Sequence, residues 1–178
     1  APFPIVGIGA SAGGLGALQQ FLSHVPPASG MAIVIVQHLD PDREGMLVEL
    51  LQRHSAVPVV QASDQMVVQA DHVYVIPPGR DLSILNGTLQ LMEPPEPRGL
   101  RLPIDTFLKS LAQDRQQHSI GVILSGMGSD GTLGLRAIRQ AAGACFVQTP
   151  ASAQFDSMPR SAIDSGVADV VALVEELP

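Results

Sequence analysis

Two textures alternate along the chain, short solid runs of apolar residues and longer stretches with apolar residues at every third or fourth position. Pro4-Ile5-Val6-Gly7-Ile8 is a solid run that ends in a glycine-rich turn, and residues 14–25 then place Leu15, Leu18, Phe21 and Leu22 on one helical face. Residues 31–36 form a second run rich in β-branched side chains, followed by Met46, Leu47, Leu50 and Leu51 within residues 44–53 at helical spacing. Between residues 57 and 92 the pieces shorten to 57–60, 72–76, 82–85 and 88–92, with Asn86-Gly87 marking a tight hairpin, and this stretch reads as an antiparallel excursion. A proline-rich connection over residues 93–99 leads to helical spacing at 104–111, a buried strand at 120–124, a helix at 132–142, a strand at 144–147 and a short helix at 159–164. The expected fold is α/β: a mainly parallel doubly wound sheet with helices on both faces and a small antiparallel hairpin edge. Residues 1–178 carry no repeat or low-complexity tract and read as one domain.

Composition narrows the function classes. A chain 46% hydrophobic and 15% charged is globular, and the net charge of −7 with a single lysine, Lys109, argues against a nucleic-acid partner. The longest apolar run is too short to span or insert into a bilayer. The lone Cys145 lies in an apolar run, so it reads as a small core residue and supports neither a disulfide nor a metal cluster. A cytoplasmic location is the expectation.

In open α/β sheets chemistry collects just beyond the carboxyl ends of the strands. Three polar segments follow predicted strands: Gly9-Ala10-Ser11-Ala12-Gly13, Gln37-His38-Leu39-Asp40 and Gly126-Met127-Gly128-Ser129-Asp130-Gly131. The first fits G-x-S-x-G, in which a sharp strand-to-helix turn lifts a serine hydroxyl above the sheet. Ser11 as nucleophile needs a base, for which His38 is placed, and the imidazole needs an orienting carboxylate, for which Asp130 is placed. Backbone N–H groups of Ala12 and Met127 are the candidate oxyanion donors. Each residue also has a plainer role open to it: the glycine-rich turn as a phosphate cradle or simple punctuation, His38 as a structural histidine, Asp130 as a helix cap. His24, His54, His72 and His118 lie near helix ends or loop boundaries and receive no catalytic role.

The segments Ile8 through Gly14 (Ile-Gly-Ala-Ser-Ala-Gly-Gly), Gln37-His38, Tyr74-Val75-Ile76-Pro77-Pro78-Gly79, residues 121–131 and Met158-Pro159-Arg160 together resemble the catalytic domain of the bacterial chemotaxis receptor methylesterase, CheB. That resemblance runs from about residue 6 to residue 171 and implies Ser11, His38 and Asp130 as the triad. It also implies hydrolysis of glutamate methyl esters on the cytoplasmic helices of chemoreceptors, releasing methanol, with deamidation of certain glutamines at the same site and no metal or organic cofactor. The resemblance further implies that the domain is part of a larger signalling protein, with a receiver domain, in cis or in trans, as regulator. The substrate rim is expected along residues 79–80, 97–101 and 154–160, with Arg98 and Arg101 facing acidic receptor surface unless they are simply solvated. Two rival readings stand beside this one. Gly7-Ile8-Gly9-Ala10-Ser11-Ala12 with Asp40 fits a dinucleotide fingerprint, and the same domain could serve as a catalytically silent interaction module.

Overall fold

A computed structural model describes residues 3–37, 46–93 and 102–178. The strands are β1 (Ile5–Ala10), β2 (Ala32–Gln37), β3 (Val59–Gln61), β4 (Met66–Val67), β5 (Val73–Val75), β6 (Asp81–Leu85), β7 (Thr88–Met92), β8 (Ser119–Ile123), β9 (Ala144–Gln148) and β10 (Val170–Ala172). The helices are α1 (Gly14–Ser23), α2 (Met46–Gln52), α3 (Pro103–Arg115), α4 (Thr132–Gln140) and α5 (Ser157–Asp164).

Seven strands form one sheet in the order β10-β9-β8-β1-β2-β5-β3, every neighbouring pair parallel. β1 lies at the centre; the chain moves outward through β2 on one side and returns to build β8, β9 and β10 on the other. The reversal between β1 and β8 opens a crevice beyond the carboxyl ends of those strands. β4, β7 and β6 make a separate three-stranded antiparallel sheet. The expectation of an antiparallel excursion over residues 57–92 is therefore corrected in part. β3 and β5 belong to the parallel sheet, and only β4, β6 and β7 are antiparallel. The hairpin is where the sequence places it: Asn86 and Gly87 take φ of 52° and 72°, the left-handed pair that a two-residue turn of this kind requires.

Successive strand side chains point to opposite faces, so the sheet builds two cores. On one face Val6, Ile8 and Ala10 of β1 pack with Leu18, Phe21 and Leu22 of α1 and Leu51 of α2. On the other, Ile104, Phe107, Leu108 and Leu111 of α3 pack with Leu135 and Ile138 of α4 and with Leu82, Ile84 and Leu89 of the small sheet. Each fully buried leucine or isoleucine contributes about 1.5–3 kcal/mol of transfer free energy. Towards α3 the central strand presents glycines. A Cβ on Gly7 would lie 2.7 Å from Leu108 Cδ2 and one on Gly9 2.5 Å from Ile104 Cγ2, so the missing side chains let α3 settle directly on β1. These are the two glycines of the dinucleotide-like pattern, and helix packing accounts for both. No helix among the described residues is long and apolar enough to cross a membrane.

Candidate active site

β1 ends at Ala10, and the chain turns through Ser11, Ala12 and Gly13 into α1. Gly13 occupies the N-cap position of α1 at φ 72°, a conformation that costs glycine little, and the Gly14 N–H closes the turn on the Ser11 carbonyl at 2.8 Å. The turn is also tied to the loop after β8, since the Ser11 N–H donates to the Ser125 carbonyl at 3.0 Å. Ser11 itself is half-buried. Its Oγ accepts a hydrogen bond from the Met127 N–H at 2.9 Å and directs its own proton towards Met158 Sδ, a weak acceptor, at 3.5 Å.

Three loops are bound together here. The Ser125 hydroxyl donates to the Ala12 carbonyl at 2.9 Å and accepts the Phe155 N–H at 3.1 Å. Its backbone N–H donates to the buried Gln148 Oε1 at 2.9 Å, while Gln148 Nε2 donates to the Ser152 carbonyl at 3.2 Å. The Gly126 N–H meets the Phe155 carbonyl and the Met158 N–H meets the Gly126 carbonyl. The Ser11 turn, the post-β8 loop and the segment leading into α5 are thus tied together by hydrogen bonds. Ser125 and Gln148 were not singled out from sequence; polar residues at or just past the ends of apolar strands were the available signal.

Asp130, 3% exposed, lies three residues beyond Met127, and its carboxylate accepts the N–H groups of Ile104 (3.0 Å) and Asp105 (2.8 Å). The resemblance of Asp130 to a cap for the helix that follows it is corrected by this geometry, because Asp130 caps α3. The N-terminus of α4 is served from the other side, by Asp105 Oδ1, which accepts from Gly131 (2.9 Å) and Gly134 (2.7 Å). Burial pushes the Asp105 carboxyl above the usual carboxylate range, and the neighbouring charge of Asp130 adds to that, against the opposing pull of the Gly134 and Gly131 N–H groups.

Among the expected site residues, Ser11, Ala12 and Met127 come together at the crevice, with Asp130 in the same post-β8 segment as Met127. His38 lies outside the described residues, as do Arg98 and Arg101. Ala10 and Gln37, which immediately precede Ser11 and His38 in sequence, are register partners across the β1–β2 pair. Of the rest of the expected rim, Gln154 and Phe155 are exposed beside the Ser11 turn, Arg80 pairs with Glu93 at 3.5 Å, and Arg160 is held by Asp156 at 2.6 Å. Cys145 is fully buried, donates to the Leu135 carbonyl, and its thiol is pushed up to about 12 by burial and then by Asp169, which leaves it without nucleophilic character near neutrality. His24 and His72 are engaged with nearby backbone carbonyls, Gln20 and Ala70 respectively.

Comparison with known proteins places this geometry. The family model described as CheB methylesterase matches residues 6–178. The crystal structure of the Thermotoga maritima CheB methylesterase catalytic domain superposes with a TM-score of 0.91 at 29% sequence identity, covering 100% of this chain and 96% of that one. An uncharacterised 104.1 kDa protein of Rhodobacter capsulatus is 41% identical over 131 residues, which are 74% of this chain and 14% of that protein. A protein-glutamate methylesterase/protein-glutamine glutaminase of Xanthomonas campestris is 34% identical over 177 residues, 97% of this chain and 49% of the relative. The chain therefore spans half or less of the length of these two relatives. With nearly every residue covered by the family match and the three-loop site lying at the switch point of the shared fold, the chain belongs to the CheB methylesterase family.

Proposed function

We propose that this domain is a serine hydrolase that removes methyl esters from glutamate side chains of chemoreceptor-type signalling proteins and releases methanol. The observation that carries the reading is the Met127 N–H, aimed at Ser11 Oγ from 2.9 Å at the mouth of the crevice. A backbone donor beside a serine hydroxyl is the arrangement that acyl transfer uses. Ser11 Oγ attacks the ester carbonyl carbon while the imidazole of His38 takes the hydroxyl proton. The negative charge that develops on the carbonyl oxygen is met by the N–H groups of Met127 and Ala12. The tetrahedral species collapses as His38 returns the proton to the departing methoxide, and methanol leaves a glutamyl ester on Ser11. Water, deprotonated by His38, then cleaves that ester to give the free glutamate and restore the hydroxyl. Asp130 orients His38 and stabilises its charged form. An amide in place of the ester follows the same path with ammonia as leaving group, which is the proposed glutaminase activity.

The proposed partner is a methylated cytoplasmic helix bundle, with a receiver domain in cis or in trans as regulator. The larger size of the relatives leaves room for such domains in those proteins. No cofactor or metal enters these steps, and the domain boundaries proposed are residues 1–178. The test is methanol release from a methyl-labelled receptor fragment. Ser11→Ala should lower the rate by about a thousandfold or more while its far-UV circular dichroism matches the parent. Equal release by both proteins would refute the assignment.

A further inference from the structure

We infer that Asp105 is a positioning residue for the Ser11 reaction: it holds the segment of residues 126–131, from which Met127 and Asp130 act, in register with α3. The inference rests on the hydrolase reading above and extends it to a buried side chain outside the proposed triad.

The geometry is a closed ring. Asp130 accepts the N–H of Asp105, and Asp105 accepts the N–H of Gly131, the residue next to Asp130. A second bond on each side completes it, from Ile104 to Asp130 and from Gly134 to Asp105. Both carboxyl groups are buried, at 4% and 3% exposure, so water does not compete for these N–H groups. Neither α3 nor α4 has a side-chain cap from its own N-cap residue, Leu102 or Gly131. Each helix start therefore depends on an acceptor supplied by the other. Ile104 and Gly131 are also packed in the same place, where a Cβ on Gly131 would press on Ile123 and Ile104. A shift of α4 relative to α3 would pass along residues 126–131 to the Met127 N–H.

One oxygen, Oδ1, accepts both N–H groups at Asp105, and this makes the proposal separable from an effect of charge. Asparagine keeps an acceptor at that position; alanine does not. Asp105→Ala is expected to lower kcat for methanol release about ten- to a hundredfold with KM within about twofold, as a displaced catalytic group does. Asp105→Asn should remain within about threefold of the parent. Val174→Ala, a buried truncation on the opposite face of the sheet, supplies a control for loss of stability alone and should keep kcat. If Asp105→Ala does not fold, Asp105→Ser, whose oxygen is too short to span both N–H groups, carries the same comparison. Parent-like kcat in Asp105→Ala, equal damage in Asp105→Asn, or an equal loss in Val174→Ala would overturn the inference. The Ser11→Ala arm distinguishes the two levels. Release that survives in Ser11→Ala sinks the hydrolase reading itself, whereas a dead Ser11→Ala beside an unaffected Asp105→Ala sinks only the positioning role.

Discussion

Gly126 sits between the Ser125 hydroxyl that ties the loops together and the Met127 N–H that donates to Ser11 Oγ. A Cβ at Gly126 would lie 2.5 Å from both Ser11 Oγ and Met158 Sδ, and the two atoms differ in what they can yield. Met158 is a flexible side chain on α5 that can shift. Ser11 is held by its turn, so the displacement falls on its rotamer or on the Met127 donor. Gly126→Ala should therefore cost about a hundredfold in kcat/KM, the usual scale for a misplacement near 1 Å, with a melting temperature close to the parent's. A fully active alanine variant would mean that the nucleophile tolerates the crowding. Ser11 and Met127 were legible from sequence because glycines surround them in segments directly after apolar runs. Asp105 was not, since nothing in the local pattern of residues 103–111 signals that its carboxyl reaches a different helix. Met158 was visible only as part of a family motif, and its place beneath Ser11 Oγ depends on how α5 returns to the sheet.

At the scale of elements, α3 and α4 exchange caps, and the exchange has an electrostatic cost. Two carboxyl groups are buried near one another at two helix starts, and at Asp105 the N–H groups of Gly134 and Gly131 offset only part of the cost of desolvation and of the Asp130 charge. The Asp105 pKa is raised from 3.8, so the folded protein holds that proton more tightly than the unfolded chain does. Its contribution to stability is then largest below about pH 4 and declines as pH rises through the folded value. Asp105→Asn removes this ionisation while keeping the acceptor. In urea titrations the variant should gain on the parent as pH rises from about 4 and hold a constant lead once pH has passed the raised folded value; a difference that is constant with pH throughout would show that Asp105 pays no such penalty. Strand directions were the weaker part of the element reading. Short apolar runs such as β3 and β5 look alike whether their neighbours are parallel or antiparallel, because periodicity reports burial and not pairing. β4 is two residues long, and Val170 and Val171 of the edge strand β10 are both exposed, so neither strand shows the alternation that would announce it.

For the whole molecule, the decisive feature is a single sheet shared by two cores, with the candidate site formed where its central strand meets β8. Each helix layer packs on one side of the same strands, so the two layers are expected to melt together. Leu22 in one layer and Leu108 in the other test this, both being 1% exposed. Their surroundings are unequal. Leu108 lies over Gly7 and Gly134, with Gly121 at the edge of the same contact, and none of these has a side chain to move into a vacated space. Leu108→Ala should accordingly fall near the top of the range of about 2–5 kcal/mol for such truncations, and Leu22→Ala, among the longer side chains around α1, lower within it. The two losses should add to within about 0.5 kcal/mol, since the sites share no partner. Circular dichroism and methanol release should disappear at the same urea concentration in each variant, because the bonds joining Ser11, Ser125 and Met127 join the ends of β1 and β8 and need both layers to hold those ends in place. Activity that vanishes well before the fold would place the site on a unit that opens by itself, and the crevice would then owe its geometry to the loops alone.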